Sequence, residues 1–560
     1  MRKLLITILA CITLVSCANN QNSSSTVTNA SSIVFGDTTT ISGGGLTLED
    51  DVVTITSPGT YEVSGSSETG KIIVDTDTTG TVHLILKDVS LTSSDGPVLT
   101  VTNADSTVVE VAENTTSTIT VSGQNEDEKD SAIYAKDDLT ITGSGTLVIT
   151  SSDGDGIHAN DSLVVENTTL NITSGDDGID VNDDINITNA NITILAGGGY
   201  ENGTSKQDEF GQMPNMNDRP QDDGNRPQDF NPDDANDENK RQDFDPSQQG
   251  DMSDDMTMKG PPQRDDDFNP EEGKEPPTQN EESTEEDSDT TKSKGIKNGL
   301  SLNITDSTLS INSSDDAINC ESDIVISNST LTISAGDDAI HSDASLTIDS
   351  DIVIEHSYEG LEALNLTINS GNITVTSSDD GINTVDGSAT NDMQADSSTL
   401  TINGGNITVY AEGDGVDMNG NGEMNGGTLT IYGPQNGGNG ALDFNGTFNV
   451  NGGTVLAGGA SGMAVTPSET SAVNILMIDA TGDIEIKDSD GNICFSYSSE
   501  KSYQNLVIAS SDLELNKEYT IYEDGEERET ITLTSSLTNL SSKSEEMGPG
   551  QMNNPMPQKP

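Results

Sequence analysis

Acidic side chains recur in this sequence within one phrase: one or two acids, a small residue, then an aliphatic. It reads Gly-Asp-Gly-Ile at 154–157, Asp-Asp-Gly-Ile at 176–179 and 379–382, Asp-Asp-Ala-Ile at 315–318 and 337–340, and Gly-Asp-Gly-Val at 413–416. Weaker copies are Asp130-Ser-Ala-Ile133, Lys294-Gly-Ile-Lys297 and Glu359-Gly-Leu-Glu362. Copies stacked in register, about 4.8 Å apart, turn each residue type into a ladder. Carboxylates at that spacing repel by about 1 kcal/mol per pair even in water's dielectric, and more where solvent is excluded. Calcium takes about six to eight oxygens at ~2.3–2.6 Å, so acids on adjacent turns can bracket one ion. The candidate ligands are Asp153, Asp155, Asp176, Asp177 and Asp180 in one cluster, Asp315, Asp316, Asp337 and Asp338 in a second, and Asp379 and Asp380 in a third. The competing reading makes them polar corners that hydrogen-bond their own backbone in turns.

The position after the aliphatic forms a second ladder: His158, Asp180, Lys297, Asn319, His341, Asn383, Asp417. One lysine stands among acids, amides and two histidines. Lys297 can serve as an internal counter-ion to the acids above and below it, or bind the carboxylate of a sugar. His158 and His341 read as exposed corner residues open to a substrate rather than as metal ligands, because calcium prefers oxygen.

These residues need a scaffold that repeats. The aliphatic falls at 133, 157 and 179, then at 296, 318, 340, 361 and 382, in steps of 21 to 24 residues within each run. Alternating polar and β-branched residues fill the intervals, as in Val82-His-Leu-Ile-Leu86. A period of that length with strand-like alternation specifies an all-β solenoid of short strands. Hydrophobic residues make up 31% and aromatics 3%, with no Trp. That is thin for a central globular core but enough for a narrow coil. The net charge of −73 excludes nucleic acid as a partner, since phosphate would be repelled, and calls for cations.

The chain divides in order. Arg2 and Lys3 precede an apolar run, Leu4 to Val15, too short to span a bilayer. It ends in Leu14-Val-Ser-Cys17, which resembles a bacterial lipobox with Cys17 as the lipidated residue. Residues 1–17 are therefore expected to be a lipoprotein signal, and 18–32 a polar tether. The solenoid is expected over 33–199 and again over 294–465, interrupted at 200–293 by an acidic, Pro- and Gln-rich insert too polar to pack. Residues 466–540 are expected to cap the open end of the stack, and 541–560 to form a disordered tail. Cys320 and Cys494 lie too many turns apart to bond and read as two buried thiols.

Several landmarks are similar to one family. Gly59-Thr-Tyr-Glu-Val-Ser-Gly65, Ala132-Ile-Tyr-Ala-Lys-Asp-Asp-Leu-Thr-Ile-Thr-Gly-Ser-Gly145, the Asp-Asp-x-Ile turns and Ser293-Lys-Gly-Ile-Lys297 resemble a family of bacterial carbohydrate-binding proteins. Members of that family, some from cellulolytic clostridia, bind cellulose or acidic sugars. The resemblance implies a right-handed parallel β-helix of polysaccharide-lyase-like shape with calcium on the Asp ladder. This chain departs from it in the acidic insert and in lacking Trp, which argues against flat stacking on crystalline cellulose. The order of acids and lysine also resembles the site of a calcium-dependent pectate-lyase family. That likeness implies Asp176, Asp177 and Asp180 as calcium ligands, Asp153 or Asp155 as the first ligand, and Lys297 as the base that removes the proton beside the uronate carboxylate.

Three functions follow. The first, which the resemblance favours, is a calcium-loaded, monomeric surface lipoprotein that binds acidic or cellulosic polysaccharide without turnover, touching the membrane through its lipid alone. The second is a calcium-dependent polysaccharide lyase using Lys297. The third is a structural stalk or adhesin in which calcium confers rigidity.

Overall fold

A computed structural model describes residues 30–123, 130–203, 292–389 and 394–540. The signal and lipidation site at Cys17, most of the tether, most of the insert and the tail lie outside the described residues. The chain divides into two units, 1–206 with 290–560, and 207–289; every described residue belongs to the first.

The described residues are all-β apart from one short 3-10 turn, Tyr200–Asn202. Three strands make each coil. One coil runs Asp155–Ala159, Leu163–Glu166 and Thr169–Ser174; the next runs Ile179–Val181, Ile185–Thr188 and Asn191–Ala196. Each strand pairs in parallel with its counterpart one coil on: Ile157 lies beside Ile179, Leu163 beside Ile185 and Leu170 beside Ile192. Parallel strands stacked this way form a β-helix-like solenoid, with three ladders of aliphatic side chains pointing inward. Ile157, Ile179, Ile296, Ile318 and Ile340 are all fully buried in one such ladder. The alternation in sequence has this cause: one residue of each pair faces the coil interior and its neighbour faces water.

The ladder closes across the insert without a slip. Ile179 pairs with Ile296 and Asp180 with Lys297, so residues 117 apart in sequence are neighbours in space. The step is 22 residues over the coils around Asn189 and Asn328, but 34 where Asn403 stacks on Asn369 and 26 where Asn445 stacks on Asn419. The period read from sequence is therefore too short at these two places; the 34-residue step arises because the stretch following Thr384 adds an excursion before the next strand begins at Thr399.

Corners repeat as strictly as strands. Asn167, Asn189, Asp306 and Asn328 all adopt the left-handed conformation at one corner, with φ between 48° and 55°. Asn and Asp tolerate it because their short polar side chains bond locally, and here Asn189 donates to Asn167 across the coils at 2.9 Å. In later coils glycine takes over: Gly427 has φ 86°, and a Cβ there would meet the Gly405 carbonyl at 2.5 Å.

Both ends are covered by antiparallel strands. At the start, Ser31–Phe35 pairs with Thr40–Ser42 and Leu46–Glu49 with Val52–Ile55. At the end, Thr454–Gly459 is covered by Asn505–Ser510, which also pairs with Asn474–Asp479. A four-stranded sheet follows, and its Tyr497 stacks on Tyr432 and donates to the Ile431 carbonyl at 2.8 Å. Cys320 is buried as expected, but Cys494 is only half-buried because it lies in that small sheet rather than in the coil; both are free thiols.

Candidate functional site

The acids of the repeated phrase occupy one edge of the solenoid, where a coil's last strand turns into the next coil's first. The residue two before the aliphatic forms an inner row: Asp155, Asp177, Lys294, Asp316, Asp338, Glu359, Asp380, Asp414. Its carboxylates have a structural task that sequence alone did not reveal. Four of them use one oxygen to accept the backbone N–H of the same place on the next coil: Asp177 N–H to Asp155 Oδ1 at 3.1 Å, Lys294 N–H to Asp177 Oδ1 at 2.7 Å, Asp338 N–H to Asp316 Oδ1 at 3.1 Å and Asp414 N–H to Asp380 Oδ1 at 2.6 Å. The bonds run between coils, not within one turn. They replace a ladder bond where the chain bends out of strand geometry. The second carboxylate oxygen is left to meet whatever lies outside.

The residue after the aliphatic forms an outer row in full register: Tyr134, His158, Asp180, Lys297, Asn319, His341, Glu362, Asn383, Asp417, Asp443. Inner and outer rows meet in three groups, Asp155–His158–Asp180, Asp338–His341–Glu362 and Asp380–Asp414–Asp417, and the inner row joins the acids just before it in two more, Asp155–Asp176–Asp177 and Asp315–Asp316–Asp337; in each the ligand atoms lie within 4.8 Å of one another.

Lys297 Nζ lies 3.2 Å from Asp180 Oδ2 and 3.5 Å from Asp177 Oδ2, with its side chain 45% exposed. Burial opposes its charge, but Asp180 and Asp177 outweigh burial and hold the amine above the ordinary lysine range. Burial likewise opposes the Asp180 charge, yet His158 and Lys297 bring its carboxyl below the usual value. Asp177 is pushed up to about 7 and Asp155 to about 6, in each case chiefly by burial. Of the two alternatives for a first ligand, Asp155 joins the group and Asp153 is exposed outside it.

Lys294 was legible only as a weak copy of the phrase, yet it takes the inner-row place between Asp177 and Asp316. Its Nζ contacts Asp315 Oδ2 at 2.7 Å and Asp316 Oδ2 at 2.5 Å. Burial disfavours its charge, but the two acids raise its pKa beyond the ordinary lysine value. The second cluster therefore carries its own cation at Asp315 and Asp316, while Asp338 turns to a histidine.

The third cluster differs from its expected form. Asp380 groups with Asp414 and Asp417 rather than with Asp379 alone, because the coil advances 34 residues here and brings the next phrase alongside. Asp379 lies beside them, and a Cβ on Gly413 would meet its Oδ1 at 2.2 Å, so only glycine leaves room for this carboxylate. Burial first, then the neighbouring acids, push Asp380 up to about 8, Asp414 to about 6 and Asp417 to about 7. Among the described residues no lysine or arginine forms an ion pair with any of the three.

The histidines are not the exposed corners expected. Both side chains are only 22% exposed, because each is drawn into the groove between coils by carboxylates. His158 Nδ1 lies 3.4 Å from Asp155 Oδ2 and 3.3 Å from Asp180 Oδ2, and hydrogen bonds to these acids push it up to about 10. His341 Nδ1 lies 3.1 Å from Asp338 Oδ2 and 3.6 Å from Glu362 Oε2. Glu359 and Glu362 were legible only as a weak copy of the phrase and stood outside the candidate ligands, although their Glu-Gly-Leu-Glu spacing carries it with longer side chains. Both stand in the rows, and burial pushes Glu359 well above the usual carboxyl range beside Asp338 and Glu362.

The chain is similar to known proteins. A family model described as carbohydrate-binding domain-containing protein matches residues 49–212, 273–339 and 337–523. A carbohydrate-binding domain-containing protein of Acetivibrio thermocellus is 28% identical over 134 residues, 23% of this chain and 47% of that protein, so the chain spans about half the length of this curated relative. A solved polysaccharide lyase-like protein from C. thermocellum is 18% identical, with a TM-score of 0.37 over 57% of this chain and 96% of that one.

Proposed function

Since this chain belongs to the carbohydrate-binding domain-containing protein family, we propose that it is a calcium-loaded surface lipoprotein, a right-handed parallel β-helix that binds polysaccharide without turning it over. Acidic chains such as polygalacturonate are the favoured ligands and cellulose the alternative. Family membership makes a polysaccharide the partner; the acid rows suggest how it is held.

The observation that carries the reading is the group Asp380–Asp414–Asp417. It gathers hard oxygen donors without a neighbouring lysine, and the carboxyls resist ionising together. That donor set suits calcium. Asp155, Asp176 and Asp177 make a second all-oxygen group, flanked by Lys297. Calcium at such places would neutralise the edge and let a uronate carboxylate approach a chain that otherwise repels it.

Lys297 fits a sugar-carboxylate clamp better than a base. Its ammonium is half exposed and held by Asp177 and Asp180, so it has a proton to donate in hydrogen bonds and no lone pair with which to abstract one. The test is co-sedimentation of the mature protein with polygalacturonate and with cellulose, with calcium or with chelator, beside ultraviolet absorbance of unsaturated sugar ends. Chelator-sensitive co-sedimentation without absorbance is the expected result. Absorbance that Lys297→Ala abolishes would make the protein a lyase instead. Absence of both signals would leave a stalk.

A further inference from the structure

From the geometry of the outer row we infer a transition-metal site of mixed nitrogen and oxygen donors at Asp338, His341 and Glu362, separate from the all-oxygen calcium groups. It does not depend on polysaccharide binding.

Three observations converge there. The first is edge length. His341 Nδ1 stands 3.1 Å from Asp338 Oδ2 and 3.6 Å from Glu362 Oε2. A zinc-type ion with donors at ~2.0–2.1 Å in a tetrahedron separates them by ~3.4 Å. Two edges of the ligand triangle thus already match what such an ion requires, and all three ligand atoms lie within 4.8 Å of one another. Imidazole is a poor ligand for calcium and a good one for zinc, cobalt, nickel or copper.

The second is the far side of the ring. His341 Nε2 lies 2.9 Å from Asp343 Oδ1. A carboxylate at that nitrogen fixes the tautomer, with Nε2–H donated outward and the Nδ1 lone pair directed at the triangle. This support is what a metal-bound histidine needs, and an imidazole held only by packing would not require it.

The third is access and charge. A cavity of about 490 Å³ opens beside the triad, lined by His341, Asp343, Glu362 and Asp386 among others, which leaves the ion a face for water or a ligand oxygen. Asp338 is buried, Glu359 adds a further, half-buried carboxyl, and Asn383 Oδ1 on the next coil is shielded from solvent and accepts no hydrogen bond. Among the described residues no lysine or arginine pairs with this group.

The same constellation recurs at Asp155, His158 and Asp180, with Asn160 behind the ring at 3.0 Å, but there Lys297 Nζ sits 3.2 Å from Asp180 Oδ2. The ammonium occupies the charge position of a metal. The two triads differ in the second carboxylate, in the group behind the ring and in the lysine, and the lysine-free one is assigned the ion.

The probe is Co²⁺, then Zn²⁺, titrated into the chelator-treated full-length protein in saturating calcium. One equivalent of Co²⁺ with visible d–d absorbance is expected, displaced by Zn²⁺. His341→Gln should abolish the band, and Asp343→Asn should weaken affinity by ~10–100-fold while keeping it. His158→Gln should leave it unchanged, which also reports that the coils remain folded. No calcium-resistant Co²⁺ binding, or a band that survives His341→Gln, would overturn the assignment and leave His341 an imidazolium paired with its acids.

Discussion

Lys294→Met isolates the electrostatic logic of the edge, because methionine keeps much of the apolar stem and removes only the charge. In the native fold the ammonium is 2.7 Å from Asp315 and 2.5 Å from Asp316, with side chains 21%, 16% and 6% exposed in that order. Removing one partner of a buried ion pair costs about 3–5 kcal/mol, and the residual exposure places this one near ~3 kcal/mol. The substitution also removes the one cation from the inner row between Asp155 and Asp414, and so turns Asp315–Asp316–Asp337 into an all-oxygen group with no resident cation. Calcium at about 100 times its dissociation constant returns ~2.7 kcal/mol, nearly the whole loss. A solenoid need not unfold in one step, so the readout is native-state hydrogen exchange at the amides of Ile296–Asn298 and Ile318–Cys320. In chelator those amides should exchange ~100-fold faster in the variant than in the parent. Added calcium should restore most of the protection in the variant and change the parent little at these two strands. Equal protection of variant and parent in chelator would refute the argument, since the pair would then contribute nothing to the fold.

The pH dependence follows from the other acids. Asp380, Asp414 and Asp417 keep their protons to about 8, 6 and 7 when folded, against roughly 4 for an unfolded carboxyl. The folded chain therefore binds more protons than the unfolded one over that interval. Their contribution is fully present below about pH 4 and is lost as pH rises through the folded values, so melting in chelator should fall between about pH 4 and 8 and calcium should flatten the curve. Lys297→Ala should change stability by less than ~1 kcal/mol, because the side chain is 45% exposed and solvent screens its pairs. The same substitution should lower retention on polygalacturonate in co-sedimentation; unchanged retention would remove Lys297 from the binding surface. Ile318→Ala should destabilise its coil by about 2–5 kcal/mol in urea unfolding, since the side chain is fully buried in the stacked ladder.

The fold was legible because a solenoid writes its geometry into a period. Ile157, Ile179, Ile296 and Ile318 announce one inward ladder by spacing alone, and the match of Gly-Ile at 178–179 with Gly-Ile at 295–296 shows where the coil resumes. What spacing could not fix was the length of the later coils. Between Ile382 and Val416 the period breaks, and nothing local in 385–398 says that the next phrase still lands beside Asp380. Register across such an excursion is decided by the buried ladder, since a slip of one residue would point Leu400 and Ile402 at water.

The site was legible in its rows and obscure in its pairings, for a physical reason. Residue type recurs down a ladder where the backbone has a use for it, and at four places of the inner row that use is one oxygen. Asp155, Asp177, Asp316 and Asp380 each give that oxygen to the next coil's N–H, which explains an acid or its equivalent at this place whether or not an ion is bound. Chemistry is then set by the second oxygen, and by whichever side chain the neighbouring coils happen to supply. Lys294 at Asp316, Lys297 at Asp180 and His341 at Asp338 meet their partners from sequence distances of 22, 117 and 3 residues. No single motif spans those distances. A run of identical Asp-Asp-x-Ile phrases thus holds edges of three kinds, one neutralised by lysine, one furnished with imidazole and one left to oxygen alone at Asp380, Asp414 and Asp417. The difference lies in the lysines and the histidine that neighbouring coils supply, and on the proposed reading these decide which cation each stretch of the edge accepts.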